Sequence, residues 1–293
     1  MSRILEEIAL SALRKLHRAH SHEWPQLAVY SLDVIGRHVV SKGRYEREVL
    51  DCLEADLFKF LQRRDIALDI GANIGNHSVF FADHFSRVMS FEPNPKTFQL
   101  LNINSTLRQN IVPFPIGCSS SRHVSKAFFS NGNLGDASLH NSPGADQADF
   151  QLDRLDDLIT EQEHARIDFI KLDIEGHELD ALCGATRILA HGPKVAFEVQ
   201  DLSQTDFWNY PVVTYLVDCG YSNFYALSNQ APLANLSRSL SNLFNALYVL
   251  FFGKRISQRK YRLEKIGDKL PNRFDGHPII ASRSELGLQR RNN

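Results

Sequence analysis

The sequence predicts an α/β protein built on an open, mostly parallel β-sheet covered by helices on both faces. Three observations predict it. From Ile66 onward, short β-rich apolar runs alternate with helical ones, the pattern of repeated β-α-β units. The first run leads straight into a turn with two glycines, Gly71-Ala-Asn73-Ile-Gly75. The second run ends in a carboxylate, Glu92, 21 residues after Gly71.

Residues 1–64 read as a helical extension. Ile4, Leu5, Ile8, Leu13 and Leu16 repeat near the 3.6-residue period, and Val49, Leu50, Leu53, Leu57, Phe60 and Leu61 form a second stripe. These helices carry no recognisable chemistry and are expected to cover a sheet edge or one side of a substrate cleft. Strands are then expected at Ile66–Ile70, Arg87–Glu92, Ile111–Ile116, Ile167–Asp173 and Val195–Val199. Helices are expected around Asn76–Phe85, over Lys96–Gln109 behind Pro93 and Pro95, and over Glu178–Leu189, where Leu179, Leu182, Thr186 and Leu189 share a face. Tyr221–Leu227 and Phe244–Phe252 are candidates for an antiparallel pair at the sheet edge. Residues 119–150, rich in Ser, Asn, Gly and Asp, read as a long irregular insertion, and such insertions are usually functional or mobile. From Lys254 the chain reads as a basic tail, eleven basic residues against four acidic, so +7 against −8 for the rest. The expected division is an extension at 1–64, a central domain at 65–253 and the tail at 254–293.

Composition excludes several classes. With 293 residues, 43% of them hydrophobic, the chain has enough apolar side chains for a full core, so disordered and collagen-like classes are excluded. A net charge of −1 gives no global attraction to nucleic acid or to an anionic membrane. Cys52, Cys118, Cys183 and Cys219 are far apart, so neither a zinc site nor a disulfide framework is readable. Glu6 and Glu7 interrupt the N-terminal apolar stretch where a signal peptide would be uncharged. The longest apolar run, Leu247–Phe252, is far below the roughly 20 residues that span a bilayer. A cytoplasmic protein with reduced thiols is expected. Asn104-Ser-Thr and Asn235-Leu-Ser fit the glycosylation pattern but carry little weight without a secretory route.

The chemistry concentrates after the first strand, in Asp69-Ile-Gly71-Ala-Asn73-Ile-Gly75-Asn76. Gly71 and Gly75 let the backbone turn sharply and approach a ligand, and the following helix offers free N–H groups. In open α/β sheets ligands sit beyond the carboxyl ends of the strands, and Glu92 there can accept from both hydroxyls of a ribose. Two adenosine ligands fit. A nicotinamide dinucleotide favours G-x-G-x-x-G, but Asn73 and Asn76 stand at the second and third glycine positions. S-adenosylmethionine has no phosphate to cradle. It needs seats for an amino-acid head and a sulfonium cation, which Asp69 and the 71–75 loop can supply.

The segments LDIGANIGNHSVFF, SFEPNPKTFQLLNIN, FQLDRLDDLI, IDFIKLDIEGHELDALCGA and VAFEVQ, in this order over residues 66–200, resemble the FkbM family of S-adenosylmethionine-dependent methyltransferases. The resemblance implies the Rossmann-like class I methyltransferase fold, with a seven-stranded, mostly parallel sheet, and O-methylation of sugar or polyketide hydroxyls. It places Asp69, Gly71, Asn73, Gly75 and Asn76 along the donor, Glu92 on its ribose, and Gly117, Cys118 and Ser119 near its adenine. Asp136 and Ser138 match a family segment within the insertion, which is expected to help close over the substrate.

Asp173-Ile-Glu175-Gly176-His177-Glu178 ends the fourth strand and faces the expected acceptor side. In-line methyl transfer needs the reacting atoms held about 3–3.5 Å apart and a group to take the hydroxyl proton. His177 is the first candidate base, Asp173 the next, and Glu175 the third catalytic candidate. Glu198, after the fifth strand, is a candidate acceptor ligand, as is Ser138. Asp173, Glu175 and Glu198 also have the chemistry to ligate a hard cation such as Mg²⁺, although no metal is expected. His17, His20 and His22 read as solvated helix-end residues. Trp24, Trp208, Tyr210 and Tyr215 read as core or pocket rim. The expected partner is a small-molecule or glycan acceptor, not nucleic acid. An N-methyltransferase, an NAD-dependent oxidoreductase and a non-catalytic cofactor-binding protein remain as alternatives.

Overall fold

The computed structural model describes residues 24–30, 33–129, 137–138, 146–199, 206–230, 261–271 and 274–288, with isolated helical positions before residue 24. The chain divides into two compact units, residues 1–47 with 64–191 and residues 48–63 with 192–293.

The first unit holds β1 (Ile66–Ile70), β2 (Arg87–Phe91), β3 (Ile111–Phe114), β4 (Gly117–Cys118), β5 (His123–Phe129), β6 (Ala137–Ser138), β7 (Asp146–Asp153) and β8 (Ile167–Leu172). β1, β2, β3 and β8 form its parallel sheet in the order β8-β1-β2-β3. All five residues of β1 are buried, as expected for a parallel strand covered on both faces. Helices Asn76–Phe81 and Pro95–Ser105 connect β1 to β2 and β2 to β3. The second begins at Asn94, whose side chain accepts from the Lys96 N–H, with Pro95 in the first turn. The crossovers place the ends of β1, β2 and β8 together, and the glycine loop after β1 grows from these ends.

Three features of this unit differ from the expectation. Residues 119–150 are not irregular throughout, because β4, β7, β5 and β6 form a second sheet in that order. Ala127, Phe150 and Leu152 make its small core, while Val124 points outward, so the apolar signal in these strands is thin. The helix expected over Glu178–Leu189 is two short helices, Glu178–Cys183 and Thr186–Ala190. The break falls at Gly184, where a Cβ would stand 2.0 Å from the Ser119 carbonyl oxygen. The third difference lies at the N-terminal edge, which the sequence read mostly as helix. Residues 24–30 are neither helix nor strand, and Asn104 pins them, accepting from the Ala28 N–H at 2.7 Å and donating to the carbonyls of Ala28 and Ile74.

The second unit holds β9 (Lys194–Phe197), β10 (Asn223–Asn229), β11 (Tyr261–Lys265) and β12 (Phe274–Ser282) in the antiparallel order β11-β10-β12-β9. Helix Pro211–Asp218 precedes β10. The strand expected at Tyr221–Leu227 is β10. The one expected at Phe244–Phe252 lies outside the described residues. The stretch read as a basic tail supplies β11 and β12, with Tyr261 and Leu263 buried on either side of Arg262 and Ile279, Ile280 and Ala281 buried in β12. Beside the insertion sheet, each unit carries four strands among the described residues, eight against the seven expected. No helix among the described residues is long and apolar enough to cross a membrane.

Candidate functional site

The loop after β1 is forced into left-handed backbone at three points: Gly71 (φ 74°), Asn73 (φ 50°) and Gly75 (φ 86°). At Gly71 the requirement is also one of space, since a Cβ would stand 2.0 Å from the Asp173 carbonyl oxygen. The N–H groups of Gly71 and Ala72 both donate to the Phe91 carbonyl, tying the loop to the end of β2. Asn73 is a non-glycine residue held in a sparsely populated region, a situation that clusters at ligand sites.

Glu92 fixes the other side of this loop. Its Oε2 accepts from the Asn73 N–H at 2.9 Å, and its Oε1 accepts from the Asn94 N–H and from Thr97 Oγ1, each at 2.9 Å. Burial pushes its carboxyl above the usual range, against the pull of these donors and of Lys171. The Asn73 side chain then presents a buried Oδ1 with no hydrogen-bond partner. An unmet buried acceptor costs about 1–3 kcal/mol, so this loop has the chemistry of a seat for a ligand bearing a donor. A left-handed loop, a strand-end carboxylate and an orphaned acceptor together fit an adenosine ligand with an amino-acid head.

Beneath the loop is a buried charge cluster that the sequence reading missed. Lys171 Nζ lies 3.3 Å from Asp69 Oδ1, 3.2 Å from Asp173 Oδ2 and 3.4 Å from the Gly71 carbonyl. The two carboxylates outweigh desolvation and hold this ammonium well above its ordinary pKa. Asp69 is fully buried, and its Oδ2 accepts from Ser78 Oγ at 2.6 Å, which in turn accepts from Ser90 Oγ at 2.8 Å. The available signal was a lone lysine inside the apolar run IDFIKL.

After β8 the chain makes the turn that carries the expected catalytic residues. Glu175 (φ 53°) and Gly176 (φ 97°) are left-handed, and Glu175 is exposed. Buried Glu178 closes the turn by accepting from the N–H groups of Ile174 and Gly176, and burial pushes its carboxyl up. Asp173 is partly exposed beside Lys171. His177 has both ring nitrogens engaged, with Nε2 3.0 Å from Ser119 Oγ and Nδ1 3.5 Å from Asp180 Oδ2. The geometry thus makes His177 a bridge between two expected parts of the site.

The remaining expected residues divide. Gly117 and Cys118 form β4, paired with Leu152 and Asp153, and burial pushes the Cys118 thiol far up. Ser119 is buried, and its N–H donates to the Asp153 carbonyl. Asn76 spends its side chain on Tyr45, accepting from that residue's N–H and donating to its carbonyl, each at 3.1 Å. Ser138 lies in β6, paired with Phe128. Glu198 belongs to the second unit, one residue past β9. Asp136, His17, His20 and His22 lie outside the described residues. Among the described residues, no group of three or more His, Cys, Asp or Glu is placed to hold a metal ion. The FQLDRLDDLI segment proves structural at Asp156, whose buried carboxylate accepts from the N–H groups of Arg187 and Ile188 and from Thr186 Oγ1, and pairs with Arg154.

A family model described as the methyltransferase FkbM domain matches residues 69–222. A hexuronic acid methyltransferase, AglP, from Haloferax volcanii is 30% identical over 151 residues, 46% of this chain and 58% of that protein. The chain therefore matches less than two thirds of that relative's length. Among solved structures, a methyltransferase FkbM from Methylobacillus flagellatus KT is similar at 19% identity and a TM-score of 0.39, over 73% of this chain and 54% of that one. A precorrin-6y C5,15-methyltransferase from Geobacter metallireducens GS-15 is similar at 14% identity and a TM-score of 0.39, over 82% and 93%.

Proposed function

This chain belongs to the FkbM methyltransferase family, and on that premise we propose that it methylates a hydroxyl of a sugar or sugar acid with S-adenosylmethionine as donor. The donor supplies an electrophilic methyl on a sulfonium sulfur. The chain's residues bind it, orient the acceptor and take up a proton. Glu92 accepts from the ribose hydroxyls. Asp69, Gly71, Asn73 and Gly75 surround the amino-acid end, and Cys118 and Ser119 border the adenine. Asp173 takes the acceptor's proton, with Lys171 fixing its carboxylate, while His177 and Glu175 shape the acceptor side. Ser138 and Glu198 are the remaining acceptor candidates.

The observation that carries this reading is the buried, unpartnered Oδ1 of Asn73 in a strained loop whose neighbouring N–H is held by Glu92. The uronic-acid class is favoured by the similarity to a hexuronic acid methyltransferase. Calorimetry with S-adenosylmethionine, S-adenosylhomocysteine and NAD tests the donor. Binding of the first two without NAD is expected, and NAD binding alone would overturn the proposal. Mass spectrometry of p-nitrophenyl glucuronide and galacturonide incubated with enzyme and donor tests the acceptor, with a gain of one methyl expected.

A further inference from the structure

The amino-acid end of the proposed donor brings a positively charged α-ammonium group with three N–H bonds to satisfy. Inside a closed site such a group needs an anion. The carboxylates assigned so far have other work. Asp69 faces Ser78 and Lys171, Glu92 accepts from three donors, and Asp173 faces Lys171.

A further carboxylate stands beside the same loop, from a segment that the sequence reading left without chemistry. Glu46 occupies left-handed backbone at φ 51°, a conformation uncommon for a side chain of this type and frequent where a site imposes it. The strained turn is clamped by the helix that grows out of the glycine loop. Asn76, the first residue of that helix, holds the Tyr45 N–H and carbonyl with its side-chain amide. His77, the second, holds the Glu46 carboxylate, with Nε2 to Oε2 at 3.3 Å. Two successive residues after Gly75 therefore fix the backbone and the side chain of this turn. The Glu46 side chain is only 19% exposed, and its charge reaches Lys171, which already serves two other carboxylates. A carboxylate so shielded from water and fixed beside this loop is a suitable counter-ion for a cation that enters the site.

We infer that Glu46 is the counter-ion for the donor's α-ammonium group, held in place by Asn76 and His77. The Asn73 Oδ1 in the adjoining loop supplies a second acceptor for the same group. This assignment rests on the S-adenosylmethionine reading above and adds to it a ligand from the N-terminal segment. On this reading Asn76 contributes through Glu46, because its amide builds the turn that carries that residue.

The test uses three ligands that differ at the amino-acid end. S-adenosylmethionine and S-adenosylhomocysteine carry it, and 5′-methylthioadenosine lacks it while keeping the adenosine and the sulfur. Calorimetry on the full chain should show Glu46→Gln weakening the first two by about tenfold or more, the scale of a lost hydrogen bond to a charged group. Binding of 5′-methylthioadenosine should stay within about twofold, because its loss would report general damage to the site. Glu46→Asp, which keeps the charge on a shorter stem, should fall between Glu46→Gln and wild type, and it decides the matter if Glu46→Gln does not fold. Equal losses on all three ligands, or no loss on any, would overturn the assignment while leaving the donor reading intact. Wild-type protein that binds none of the three would overturn both.

Discussion

Asp69 and Lys171 are register partners on adjacent parallel strands, and their side chains meet as a buried ion pair 3.3 Å long. The pairing places one ammonium below the glycine loop after β1, where it also faces Asp173. Breaking a buried pair from one side leaves an uncompensated charge. Lys171→Met is therefore expected to cost about 3–5 kcal/mol of folding stability, read from urea midpoints. The double variant Lys171→Met with Asp69→Asn should recover part of that loss, because it removes a stranded carboxylate as well.

Glu92→Ala removes the acceptor at the end of β2. Donor affinity should fall by about 1.5–3 kcal/mol, roughly 10- to 150-fold in the dissociation constant. An unchanged constant by calorimetry would show that the ribose is held elsewhere.

Glu92 also predicts a pH dependence. Burial raises its carboxyl in the folded chain above the ordinary value of 4.5. The folded state then holds a proton that the unfolded state has released. This group's contribution is thus most favourable below the ordinary value and declines as the pH rises through the raised one. Glu92→Gln should flatten that decline in a series of urea midpoints taken upward from about pH 4. Parallel wild-type and variant curves would contradict it.

Asp173→Asn should lower turnover by about 10²- to 10⁴-fold, the usual worth of a general base, while changing donor affinity far less. Pre-steady-state methyl transfer with saturating donor separates the two. His177→Gln should act more weakly on the chemical step, because Ser119 and Asp180 already occupy the ring's two nitrogens.

Asp156→Ala should destabilise the chain by about 2 kcal/mol, since it uncaps helix Thr186–Ala190 and leaves its first N–H groups without their acceptor, while Arg154 keeps Asp157 and the Ser120 carbonyl. Donor binding by the part that remains folded should match wild type. A selective loss of donor affinity would assign this motif to the site after all.

The parallel strands of the first unit were legible because each is a short apolar run bounded by a turn, and Gly71, Gly75 and Glu92 were legible from their spacing along such runs. What escaped depends on contacts between distant segments. Lys171 is a charge within an apolar strand, but its meaning requires the register that brings Asp69 opposite it. The bridge between Ser119 and His177 joins residues 58 apart, and no local pattern announces it. Gly184 reads as a tolerated glycine within a helix until the Ser119 carbonyl is seen to occupy its Cβ position. The insertion strands alternate weakly because their sheet has a core of only a few side chains. Glu46 was hidden among the charges of a helical segment, where only a backbone dihedral marks it as unusual.

The amide of Asn104 is spent on three backbone groups and is almost wholly shielded from water. Asn104-Ser-Thr has the form of an attachment sequon, yet a folded chain withholds the nitrogen that an oligosaccharide would need. A carbohydrate could be joined there only before helix Pro95–Ser105 packs against residue 28, and a chain so decorated would be barred from closing that edge.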